Sequence, residues 1–134
     1  ILINPPWFRD RPLRRLENLD KRKAKVELQG DLHDWLKVCK SLLCRRGRLT
    51  LIHRAESLST VIVSLVNNRF GDISILPIMS KSGGYAKTIV VSALSGSKGR
   101  CRIMSNIYLH DKYGNYTNTA EGILRNAKPT ALGI

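Results

Sequence analysis

The hydrophobic periodicity of this chain changes in a fixed order along its length, and that order leaves few folds open. Ile1 to Ile3 is a short continuous apolar run closed by Asn4-Pro5-Pro6. A run without alternation is the pattern of a strand buried on both faces, and prolines end it because they cannot donate to a ladder. Gly30 and Asp31 are predicted to open a helix in which Leu32, Trp35, Leu36, Cys39, Leu42 and Leu43 recur at three- and four-residue steps, with Gly47 as its stop. Arg48 to His53 reads as a second strand. Leu58, Val61, Ile62, Leu65 and Val66 form a second helical stripe ending near Asn67 and Asn68. After Phe70-Gly71 no helix intervenes: Ile73 to Met79 and Lys87 to Leu94 are strand-like, joined across Ser82-Gly83-Gly84, and are predicted to pair antiparallel.

Strand, helix, strand, helix and then an antiparallel pair imply an α/β protein. Its parallel strands carry helical crossovers, and ligands bind beyond the carboxyl ends of such strands. The remainder is lighter in signal. Cys101 to Met104 and Ile107 to His110 are short strand candidates, Gly96-Ser97-Lys98-Gly99 and Tyr113-Gly114-Asn115 are turns, and a short helix is expected over about Asn118 to Arg125.

Charge decides what such a domain meets. The 134 residues hold 23 Lys plus Arg against 10 Asp plus Glu, a formal net charge of +13 and a pI near 10.2. That surface favours polyanions, with nucleic acid as the expected partner. Anionic membrane is the competitor, but no run approaches the roughly 20 apolar residues of a spanning helix and no signal-peptide pattern is present, so no membrane association is expected. Cys39, Cys44 and Cys101 are odd in number, lack CxxC spacing and have no His at ligand-like intervals. They predict a reducing, cytoplasmic setting and no metal, with Cys39 and Cys44 packed in a core.

The segment from Arg9 to Lys25 interrupts the apolar pattern with eight basic residues. It follows the Pro-Pro turn directly, where a substrate would enter, and is expected to form a basic loop over about residues 9–29. Arg9, Arg11, Arg14, Arg15, Arg22 and Lys23 are its candidate phosphate contacts. The bland alternative is a solvated loop that keeps the protein in solution.

Asn4-Pro5-Pro6-Trp7, at the end of a buried strand, resembles the N-P-P-aromatic motif of class I amino-methyltransferases, which implies transfer of a methyl group to an amino nitrogen such as adenine N6. The lone pair of adenine N6 is delocalised into the ring, so a site that methylates it must orient the amino group and accept its N–H hydrogens. Asn4 offers a side-chain carbonyl and Pro5 a backbone carbonyl held stiff by its ring. Pro6 keeps the turn rigid, and Trp7 is placed to stack on an extruded base, a contact worth roughly 1–3 kcal/mol. Taken alone, the tetrapeptide is equally a strand terminator whose tryptophan caps the core.

Beyond the motif, Gly47-Arg48-Leu49-Thr50-Leu51-Ile52-His53-Arg54, Arg69-Phe70-Gly71, Ala86-Lys87-Thr88-Ile89-Val90-Val91 and Tyr113-Gly114-Asn115-Tyr116-Thr117 resemble the bacterial tRNA adenine-N6 methyltransferase family that acts on valine tRNA. Two departures stand out: Trp7 occupies the place of the usual Tyr or Phe, and Gly83-Gly84-Tyr85 replaces a glycine followed by proline. The resemblance implies the C-terminal half of a Rossmann-like class I methyltransferase sheet. It also implies S-adenosylmethionine as methyl donor, Asn4, Pro5, Pro6 and Trp7 as the catalytic turn, and Asn4 next to the donor.

In that family the glycine-rich donor loop and its ribose-binding carboxylate lie upstream of the motif. Residues 1–134 are therefore expected to be one partial domain, the substrate-side half, inactive by itself. The opening apolar run without Met agrees with that expectation. Its exposed sheet edge is expected to drive association or homo-oligomerisation.

Two other function classes stay open on the sequence: a nucleic-acid-binding module without catalysis, and a protein-glutamine methyltransferase fragment using the same turn. A charge of +13 suits RNA better than a neutral or acidic protein. His53 ends the second strand at the same sheet edge as Asn4, and a hydrogen-bonded strand-end histidine is its commoner role. Trp35 is expected in the core, while Tyr108, Tyr113 and Tyr116 divide between packing and RNA contact.

Overall fold

The computed structural model describes residues 1–5 and 32–129. Its elements follow the order β1 (Leu2–Ile3), α1 (Leu32–Leu42), β2 (Arg48–Arg54), a 3-10 turn (Ala55–Ser57), α2 (Leu58–Asn67), β3 (Phe70–Met79), β4 (Thr88–Ser95), β5 (Arg102–Ile103), β6 (Ile107–Tyr108) and α3 (Asn118–Asn126). One six-stranded sheet runs β1-β2-β4-β3-β5, with β6 also paired to β3.

β1 lies parallel to β2, and β4 is antiparallel to both β2 and β3. Hence β1, β2 and β3 share one direction and β4 is wedged between the last two. The antiparallel pair expected from the sequence forms, but β4 uses its second edge to bridge back to β2. The result is a mixed α/β sheet with parallel strands and an antiparallel insertion.

The core occupies one face of that sheet. Leu49 and Leu51 of β2, Ile89, Val91 and Ala93 of β4, and Ile73 and Ile75 of β3 meet Leu36 and Cys39 of α1 and Val61 and Leu65 of α2. Burying each large aliphatic side chain of this set contributes roughly 1.5–3 kcal/mol. Alternation along the strands puts Arg48, Thr50, Ser92 and Ser74 on the opposite face, where Thr50 pairs with Ser92 and Ser92 with Ser74.

Helix α1 uses its apolar residues differently from the expectation. Leu32, Leu36, Cys39 and Leu43 turn to the core, but Trp35 is 40% and Leu42 72% exposed, and with Val38 they form an outward stripe. At 100° per residue that stripe sits about a quarter-turn from the inward line. One apolar pattern thus covers two faces, only one of which the sheet receives. Cys44 is likewise exposed and only Cys39 is buried. In α2, Val61 and Leu65 face inward while Val66 is exposed.

Both helix ends also differ from simple glycine or asparagine stops. After α1 the left-handed residue is Arg46 (φ 63°), whose N–H donates to the Ser95 carbonyl at 2.9 Å. Gly47 is required for space: a Cβ there would sit 2.8 Å from the Leu43 side chain and 2.9 Å from the Cys44 carbonyl oxygen. After α2 the left-handed residue is Arg69 (φ 60°). Asn68 is buried beneath it, and its amide Nδ2 donates to the Ser64 carbonyl at 2.8 Å and meets His33 Nδ1 at 2.9 Å. This contact ties the start of α1 to the end of α2.

Short strands β5 and β6 are both parallel to β3. Helix α3 begins with a Thr117 cap, whose Oγ1 accepts from the Ala120 N–H at 3.1 Å, and closes on left-handed Ala127 (φ 48°). None of the helices among the described residues is long and apolar enough to cross a membrane.

Candidate active site

The register of β1 on β2 places the motif. Leu2 lies opposite Thr50 and Ile3 opposite Leu51, and the Thr50 N–H donates to the Ile1 carbonyl at 2.8 Å. One further step along each strand brings Asn4 level with Ile52 and Pro5 level with His53. Asn4 is exposed and Pro5 is buried. The two potential acceptors of the motif thus sit at the carboxyl end of a parallel strand, with the proline anchored and the asparagine facing solvent.

Pro6 and Trp7 of the motif, and Arg9, Arg11, Arg14, Arg15, Arg22 and Lys23 of the basic loop, lie outside the described residues. Fifteen basic and five acidic residues nevertheless fall among the described ones. Most of the net charge of +13 therefore lies among the described residues.

His53 is 8% exposed on the core side of β2. Burial pushes its pKa down and the neighbouring Arg54 charge acts in the same sense, partly opposed by a hydrogen bond with the Arg54 backbone. Arg54 reaches Glu56, with Nη1 2.6 Å from Oε1. Beside that pair lies a cleft of about 430 Å³ lined by Arg54, Glu56, Ala86, Lys87 and Thr88. The Ala55 N–H donates to the Lys87 carbonyl at 3.0 Å, which holds the entry of β4 against the exit of β2. Asn4 is not among the lining residues. Tyr85, 96% exposed, stands on the rim of the adjoining surface formed by residues 80–85 and Lys87.

The β6–α3 region ends at the same edge. Tyr116 stacks on His110 with ring centroids 4.9 Å apart, and Lys112 Nζ lies 4.9 Å from the centre of the Tyr113 ring. Tyr108, Tyr113 and Tyr116 are all at least a third exposed. Asp111 organises the turn between them: its Oδ1 accepts from the Tyr113 and Asn115 N–H groups at 2.8 and 3.0 Å. Desolvation acts to raise the Asp111 pKa, but these amide donors outweigh it and hold the carboxyl below its ordinary value.

A more voluminous cavity than this cleft lies elsewhere among the described residues. About 750 Å³ opens at the amino end of β3, lined among others by Lys40, Arg69, Phe70, Gly71 and the 96–99 turn. It is at the opposite edge of the sheet from Asn4, and chain direction, not cavity size, is what marks the carboxyl edge as the reactive one.

A methyl donor of the nucleotide-sulfonium type needs a glycine-rich turn from strand to helix and a carboxylate for its ribose. Among the described residues, Glu56 is engaged with Arg54 and Asp111 with its own turn, and the turns at Gly83 and Gly96 join strands or leave them without opening a helix. Among the described residues, this edge therefore lacks a complete site for such a donor. Nor do the described His, Cys, Asp and Glu residues form a cluster able to hold a metal ion.

No family model matches this sequence, and no curated protein does. Among solved structures, a predicted O-methyltransferase from Agrobacterium tumefaciens superposes with a TM-score of 0.70 at 22% identity. The match covers 91% of this chain and 48% of the other, so the chain spans about half the length of that structure. At this identity the likeness carries the fold alone.

Proposed function

We propose that this chain is the substrate-side half of an S-adenosylmethionine-dependent methyltransferase that modifies adenine N6 in RNA, with tRNA as the substrate class. The observation that supports the reading most is the position of Asn4-Pro5 at the carboxyl end of β1, next to β2, in a sheet of methyltransferase fold.

The donor supplies a methyl group already activated by its sulfonium. The work left to this chain is placement. The Asn4 side-chain carbonyl and the Pro5 backbone carbonyl accept the two N–H hydrogens of an extruded adenine, turning the nitrogen lone pair out of conjugation. Buried Pro5 keeps its carbonyl fixed while exposed Asn4 meets the base. Trp7 supplies the stacking surface. The methyl group would come from the donor, and Asn4 and Pro5 would hold N6 turned toward it. The amino proton leaves to water afterwards, so no side chain of tuned pKa is required.

Charge favours RNA over the protein-amide alternative, since fifteen cations against five carboxylates cover the folded part alone. The test is transfer of labelled methyl to unmodified tRNA by the protein that carries this chain together with a donor-binding half. Asn4→Ala is expected to lower the rate at least about 100-fold, the loss of one preorganised transition-state contact. An unchanged rate overturns the reading, and methylation of oxygen or of a protein amide in place of adenine replaces it.

A further inference from the structure

The far edge of the sheet, where β2 and β3 begin and β4 ends, carries charge that the carboxyl-edge site does not use. Arg48 opens β2 on the face away from the helices, and its Nη1 donates to Ser92 Oγ at 3.0 Å. Ser92 is fully buried and stands between Thr50 and Ser74, so a row of hydroxyls crosses three strands. Arg102 of β5 lies opposite Ser74 in register, with Nη2 3.8 Å from Asp72 Oδ1. The left-handed turn after α1 brings Arg46 to the same place. Arg46, Arg48 and Arg102, with Asp72 and Ser74, line a cleft of about 400 Å³.

Asp72 is the single carboxylate of that lining. It also accepts from Ser97 Oγ at 2.6 Å, so it is shared between a hydroxyl and one guanidinium. Three arginines converge on one acid, and Lys98 and Arg100 follow close by in sequence. Guanidinium groups gathered around one carboxylate and the Ser74 hydroxyl, beside Leu94 and Met104, suit an anion with several oxygens, because planar N–H forks match phosphate geometry. Among the described residues no aromatic side chain lines the cleft, so what they offer is a grip for backbone and not for a base.

We infer that this cleft is a phosphodiester-binding groove, a second contact for nucleic-acid backbone at the sheet edge opposite Asn4. The seven residues of β2 separate the two edges by about 20 Å at a strand's rise of roughly 3.3 Å per residue. That separation is about the width of a nucleic-acid duplex. A folded RNA is therefore wide enough to engage both edges. The groove rests on the nucleic-acid part of the proposed function and is independent of methyl transfer.

The test is fluorescence anisotropy of the full 134-residue chain with labelled bulk tRNA across a salt series. The variant is Arg46→Gln/Arg48→Gln/Arg102→Gln, and Lys37→Gln/Lys112→Gln/Lys128→Gln is its charge-matched control. The arginine variant is expected to bind at least about tenfold more weakly near 0.15 M salt, with its log–log salt slope reduced by about two to three, as for two or three lost phosphate contacts. The control should change far less. Arg46→Gln/Arg102→Gln keeps the Arg48–Ser92 bond and should show a smaller loss of the same kind if the triple variant fails to fold. An unchanged slope in the arginine variants, or an equal loss in the control, overturns the groove. So does tighter, arginine-dependent binding to phosphatidylserine-containing vesicles than to tRNA. If Asn4→Ala abolishes methyl transfer while the arginine variants bind tRNA normally, the groove falls and the proposed function stands. If the wild-type chain binds no tRNA, both fall.

Discussion

Ile3 lies opposite Leu51 in the parallel pairing of β1 with β2, and this one contact sets where Asn4 emerges from the sheet. Leu51 has no exposed surface and belongs to the core that α1 and α2 cover. The turn proposed to hold the adenine amino group is therefore positioned by a residue buried in the core.

Leu51→Ala is expected to destabilise the chain by about 2–5 kcal/mol, the range for emptying a well-packed leucine site. Urea denaturation followed by circular dichroism measures it. A loss under about 1 kcal/mol would mean that the β2 core is looser than described.

Two glycines at the amino end of β3 should be far less replaceable than one in the loop before β4. A Cβ on Gly71 would lie 2.7 Å from the Ser97 carbonyl carbon, and one on Gly99 would collide with the Asp72 carboxylate. Gly83 has open space around it and only its left-handed backbone (φ 84°) to satisfy. Gly71→Ala is expected to cost more than the roughly 1–2 kcal/mol of Gly83→Ala, which is the strain of a left-handed residue alone. Melting temperatures of the two variants give the order directly.

Asn68→Ala removes the amide that joins Ser64 and His33. Losing these partly buried hydrogen bonds should cost about 1–3 kcal/mol. The effect should appear first as faster amide hydrogen exchange at the end of α2 and the start of α1. Uniform exchange across the domain would count against a local tie.

Stability should fall as the solution becomes acidic through the histidine range. His53 has its pKa lowered in the folded state by burial, so the unfolded chain binds its proton more readily. The contribution of neutral His53 is complete above the unfolded value of about 6.5 and is lost as pH drops from there toward the folded value. Denaturation midpoints between pH 8 and 5 should show this decline, and His53→Gln should flatten it. Asp111 adds the same sign at lower pH, its depressed carboxyl losing the 111–115 turn on protonation.

Titration of S-adenosylmethionine into the 134-residue chain is expected to give no heat of binding, because the described carboxyl edge lacks a donor cradle. Binding near micromolar, about −8 kcal/mol, would reveal a donor site on this chain and change the assignment of halves.

The sequence by itself determined the elements and their order. Short-range period and punctuation suffice for that: the run before Asn4 forms a strand, and helices form around Leu36 and Leu65 and from Asn118, although Ile1 and Leu2 are exposed where the unbroken apolar run implied burial on both faces. The antiparallel pairing of β3 with β4 was legible for the same reason, since a connection of glycines and serines leaves no room for a crossover helix. Tertiary structure decided which strand β4 takes on its other side, because edge pairing depends on contacts far apart in sequence. It also decided that Trp35 and Leu42 face outward: a wide apolar stripe does not state which of its sectors the sheet will cover. The gathering of Arg46, Arg48 and Arg102 was invisible for a related reason. These residues come from a turn and two strands, and only the register of β2, β4, β3 and β5 sets them around one row of hydroxyls.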